Sequence, residues 1–171
     1  EAVIAEGLIT KENCDETMAM TIAHRANGNF TNALHIFRNN AGDEQFEELF
    51  ISWVRNAFKA KGNKAAISDL ISWSEKIAAT GRESQKKFLL YCLDFFRQAL
   101  LLNYKAYDLV FMEPRAKSFS LEKFAPFVNG NNIMAITSEL EDAIYHIERN
   151  GNARIILTDL SIKLTRLLHK K

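Results

Sequence analysis

The chain has 171 residues, of which 47% are hydrophobic and 25% charged, globular proportions that allow one domain or two small ones and exclude a disordered chain. A formal net charge of +1 withholds the basic excess on which a free-standing DNA-binding domain relies, so contact with nucleic acid is expected to be local or shared with partners. Cys14 and Cys92 form no CxxC pair or disulfide framework, no run is apolar and long enough to cross a bilayer, and no signal peptide opens the chain, so a reducing cytoplasmic setting is expected.

Seven Gly and two Pro leave long segments without a breaker, and apolar residues recur three and four apart. This is the pattern of an all-α protein. The first helix is predicted from Thr10 to about Asn27, with Met18, Ile22 and Ala26 on one face and Gly28-Asn29 as its stop. A short helix follows, with Phe30, Ala33, Leu34 and Phe37 along one side, and Asn39-Asn40-Ala41-Gly42 is the expected domain boundary. The next helix is expected from Asp43 to Lys61, with Phe46, Leu49, Phe50, Trp53, Val54 and Phe58 inward. After Gly62-Asn63 another runs from Lys64 to Ala79 and is expected to bury Ile67, Leu70, Ile71 and Ile77.

Thr80-Gly81-Arg82-Glu83 has the spacing of a capping box, opening a helix that reaches about Leu109. Phe88, Leu89, Leu90, Tyr91, Leu93, Phe95 and Phe96 leave that helix no continuous polar face, which places it at the centre of a bundle or in an interface. A loop to Ser118, a short helical piece from Ser120 to Val128 and a break over Gly130–Asn132 come next. Two closing helices, Ile133 to Arg149 and Ala153 to His169, are split by Asn150-Gly151-Asn152. The chain begins at Glu1 and is read as part of a longer protein.

The chemistry-bearing motifs are missing. Neither GxxxxGK[ST] nor GxGxxG occurs, so no nucleotide cradle is expected, and none of His24, His35, His146 and His169 stands in HExxH or Glu-x-x-His. Asp142 and His146 are four apart and are expected to share a surface hydrogen bond. GxSxG is absent and neither cysteine has a nucleophile's surroundings. No catalytic residue, cofactor or metal is predicted. The acidic run Asp43-Glu44, Glu47-Glu48 and the cations Lys163, Arg166, Lys170 and Lys171 complement helix dipoles, with DNA contact the alternative for the latter. Trp53, Trp73 and the phenylalanines suit a core or an interface.

The segment Ile22-Ala-His-Arg-Ala-Asn-Gly-Asn-Phe-Thr-Asn-Ala-Leu34 resembles the second lid helix-turn-helix of the AAA+ clamp-loader ATPases, roughly IAxxAxGxxRxAL. In that family Gly ends one helix, Ala allows close approach, and the arginine three residues after the Gly is a sensor of nucleotide phosphates. Gly28, Asn29, Ala33 and Leu34 hold the motif positions here, but the sensor position is Thr31, which has no guanidinium fork. Loss of that arginine is similar to the delta prime branch, the ATPase-silent stator of the DNA polymerase III clamp loader. Ile147 to Leu157 is similar to the Asn-rich turn before the last collar helix of these subunits.

The resemblance implies a lid over 1–42 and a collar over 43–171 with no cofactor of its own. It implies an assembly role beside delta and tau or gamma subunits, and contact with the sliding clamp and primed DNA through the whole complex. Trp53, Trp73, Phe95, Phe96, Asn150 and Asn152 are its candidate interface positions. Two alternatives stay open. One is a tau or gamma ATPase fragment, which would keep Arg at 31; the other is an unrelated helical adaptor that binds a peptide or helix in a groove.

Overall fold

Every regular element among the described residues is helical, as the periodicity predicts. The computed structural model describes residues 1–26, 28–38, 41–112 and 114–170, and within the helices all side chains except those of Asn32, His35, Arg38 and residues 41–44. Asn27, Asn39 and Asn40, and the side chains of Asp43 and Glu44, on which expectations also rested, lie outside them.

The chain divides into two compact units, residues 1–45 with 111–113, and residues 46–110 with 114–171. The division falls inside a helix instead of at the expected break: Ala41 and Gly42 already belong to the helix Ala41–Ala60.

The first unit holds α1 (Ala2–Glu12), α2 (Glu16–Arg25) and α3 (Phe30–Arg38). The single helix expected from Thr10 is corrected to two. Asn13 adopts the left-handed conformation at φ 53°, which a short polar side chain tolerates, and ends α1. The Asp15 carboxylate then caps α2, accepting from the Thr17 and Met18 N–H groups at 3.2 and 3.4 Å. Ile4, Leu8, Ala19, Ile22, Ala23 and Ala33 form the buried core, with Phe30, Leu34 and Phe37 packed against it.

The second unit contains most of α4 (Ala41–Ala60), then α5 (Lys64–Ala78), α6 (Arg82–Asn103), α7 (Leu121–Phe124), α8 (Ile133–Glu148) and α9 (Ala153–Leu168). α6 is the axis: it packs against α8, α7 and α5, and α9 lies against both α8 and α5. Phe88, Leu89, Cys92, Phe95, Phe96 and Ala99 of α6 are all buried. Glu83, Lys87, Leu90 and Arg97 form a narrow exposed stripe, so the helix keeps a solvent edge.

Three local expectations change. α6 stops at Asn103, with a separate 3-10 turn over Tyr107–Leu109. Thr80 builds no capping box: Gly81, at φ 85°, precedes α6 without a side-chain cap, and the Thr80 hydroxyl instead donates to the Ile77 carbonyl at 2.8 Å. Ile67 and Ile71 are 45% and 39% exposed. α5 is peripheral, and only its stripe of Ala66, Leu70, Trp73, Ser74 and Ile77 faces inward.

Candidate functional site

The motif of residues 22–34 forms a tight helix-turn-helix. Gly28, at φ +80°, occupies a left-handed conformation that favours glycine. The Asn29 N–H donates to the Ala26 carbonyl and the Asn29 carbonyl accepts from the Ala33 N–H, both at 3.0 Å, closing α2 and opening α3. Ala23, Ala26 and Ala33 are 0%, 2% and 0% exposed: methyl side chains let the backbones approach. Leu34 packs on the same core. Thr31 stands exposed in the first turn of α3. Beside the turn, His24 stacks on Phe111 with ring centroids 3.6 Å apart, and its Nδ1 lies 3.0 Å from the Glu1 carboxylate.

The aromatic interface candidates lie inside the second unit. Trp53, Trp73, Phe95 and Phe96 are 0%, 5%, 0% and 1% exposed. They offer no surface to a partner, so their interface role gives way to a core role. Both indoles have internal acceptors, and Phe95 and Phe96 pack around the Phe50 ring. Asn150 and Asn152 serve the turn between α8 and α9. Asn150 is left-handed at φ 65°, and the Asn152 side-chain oxygen caps α9 by accepting from the Ile155 N–H at 3.3 Å. Asp142 and His146 do not pair; His146 meets the Tyr145 ring edge-on.

Among the described residues no cluster of three or more His, Cys, Asp or Glu could hold a metal, and no helix is long and apolar enough to cross a membrane. A groove of about 410 Å³ between α6 and α8 is lined by Leu93, Asp94, Arg97, Leu100, Ile133, Thr137 and Glu141, carrying both signs of charge. On α6, α8 and α9 the large apolar side chains that reach solvent are Leu90, Met134, Tyr145, Ile155 and Ile162. Single exposures of this kind are ordinary on a protein surface.

Sequence reasoning missed the buried polar side chains that organise the second unit. Asn132, fully buried, donates to the carbonyls of Phe127 and Leu167 at 2.8 and 3.1 Å and accepts from the Asn129 N–H at 2.9 Å. Gln85, 2% exposed, donates to the Ala78 carbonyl at 2.9 Å, while its Oε1 has no partner among the described residues. Only an uninterrupted helical stripe containing a polar residue signals such positions, and Gln85, three residues before Phe88, shows that signal. Compared with known proteins, the chain matches no family model, no curated protein and no solved structure.

Proposed function

We propose that the chain is the lid and collar part of a bacterial clamp-loader subunit of the delta prime branch, a cytoplasmic assembly component with no reaction of its own. The first unit corresponds to the lid and the second to the collar. The observation that carries this reading is the turn at Gly28. It has the small-residue approach that the motif's Ala and Gly positions require, and at the sensor position it exposes Thr31 where an ATPase subunit would present arginine. Threonine cannot fork onto a phosphate, which favours the silent branch over a tau or gamma fragment. The predominantly helical second unit supports a collar role, in which association with delta and tau or gamma collars buries surface without nucleotide.

The test is association of the full chain with a purified tau or gamma collar with and without ATP. The full chain is required because α4 begins at Ala41 and Phe111 belongs to the first unit, so a fragment starting at 43 would cut a helix and uncover a ring. Complex formation independent of nucleotide supports the reading. Formation only with nucleotide would move the binding energy elsewhere.

A further inference from the structure

The loop from Phe127 to Asn132 gathers four segments at one end of the second unit. The Phe127 ring lies 4.5 Å from that of Phe58, near the end of α4, and Phe58 also meets His169 at 5.5 Å. The Asn103 side chain, at the end of α6, donates to the Val128 carbonyl at 2.9 Å. Asn132 reaches the Leu167 carbonyl of α9. Residues 58–64, 103–109, 121–132 and 166–170 together carry seven Lys and Arg against two acids, Asp108 and Glu122. The whole chain is only +1. Near-neutrality therefore conceals a basic end and an acidic remainder.

All seven cations are exposed. Helix dipoles explain some of them, since Lys59 and Arg166 stand in the last turns of α4 and α9. They do not explain Lys64, in the first turn of α5, where a cation opposes the dipole. None of the seven is ion-paired among the described residues. Aromatic rings stand among them: Tyr104, Tyr107 and Phe127 are 65%, 63% and 44% exposed.

We propose that this end of the second unit binds single-stranded nucleic acid, its cations neutralising phosphates and its exposed rings stacking bases. A duplex keeps its base faces covered and cannot use such rings; a single strand can. The proposal is read from charge and rings alone, and its test involves no other subunit, so it stands or falls separately from the assembly role.

The experiment is fluorescence anisotropy of the full chain with a labelled oligothymidylate, titrated at several salt concentrations. Saturable binding is expected, weakening linearly in log Kd against log salt, with duplex of the same length bound less tightly. Reversal of Lys61, Lys64 and Lys123 to Glu together should weaken binding about tenfold or more and flatten the salt slope. Tyr104→Ala with Phe127→Ala should weaken it about fivefold or more with the slope kept. Lys76→Glu with Lys87→Glu, on exposed positions elsewhere, should change it little. Circular dichroism checks each variant's fold; if the ring variant unfolds, the lysine reversals, all at exposed positions, decide. No saturable binding at low salt, or an equal loss in the control pair, overturns the proposal. So does tighter association with phosphatidylglycerol vesicles than with the oligonucleotide, which would reassign the surface to an anionic membrane.

Discussion

The indole N–H of Trp53 donates to the Ser161 hydroxyl at 2.8 Å across 108 residues of sequence, with both side chains buried. The Ser161 hydroxyl in turn donates to the Leu157 carbonyl at 2.7 Å, and the Trp53 ring stacks on Trp73 at 4.7 Å between centroids. This bond ties α9 to α4 inside the core. Removing one partner of a buried pair strands the other. Ser161→Ala should therefore destabilise the chain by about 1–3 kcal/mol, read from urea unfolding followed by tryptophan fluorescence. An unchanged midpoint would mean that water reaches the indole.

Asn132 makes a stronger demand, because its side chain serves three backbone groups around the Phe127–Asn132 loop. Asn132→Ala should lower stability by about 3 kcal/mol, at the upper end for a single buried polar loss. Its exposed neighbour Asn131, changed to Ala, should shift stability by less than about 1 kcal/mol. Equal effects from the two substitutions would contradict this division.

The turn between α8 and α9 depends on Gly151, where an added Cβ would lie 2.8 Å from the His146 backbone carbonyl oxygen. Backbone cannot step aside as a flexible side chain can. Gly151→Ala should lower stability by about 1–3 kcal/mol, and Asn152→Ala by about 1 kcal/mol through the lost α9 cap. Thermal unfolding of both variants gives the ordering, and an Asn152 effect larger than that of Gly151 would contradict it.

Both cysteines give the chain an alkaline limit. Burial pushes the Cys92 thiol well above its usual 9.0, and burial with the neighbouring Asp15 carboxylate raises that of Cys14. The unfolded chain then ionises these thiols first and binds fewer protons, so their contribution is complete below about pH 9 and is lost as pH rises through the folded-state values. Stability measured from pH 8 to pH 10.5 should decline, and Cys92→Ala should reduce the slope. A thiol reagent should label Cys92 only at the rate of unfolding. Rapid labelling in the native state would refute its burial.

How far the sequence could be read depended on which faces the tertiary structure used. The all-helical class and the stops at Gly28, Gly62 and Asn150 were legible because left-handed turn positions and apolar periodicity are local properties. α1 was not, because its apolar residues lie all round: Ile4, Ala5 and Leu8 are buried while Val3 and Ile9 are exposed, so no stripe marks it. Ile67 and Ile71 looked like core because periodicity records apolar character and cannot say that α5 is covered on one side only. Thr80 and Glu83 have the spacing of a cap, but the positive φ of Gly81 turns the chain between them. Of the candidate interface positions, Trp53, Trp73, Phe95 and Phe96 were legible as aromatic and illegible as interior, since core and interface draw on the same residue types. The basic end was hidden by a net charge that averages it away.

The assembly role is tested most directly by sizing chromatography with light scattering of the full chain mixed with a purified tau or gamma collar, in the absence of nucleotide. A complex whose mass exceeds that of either component is expected, unchanged on adding ATP. Separate elution of two folded proteins at micromolar concentrations, with and without ATP, would contradict it.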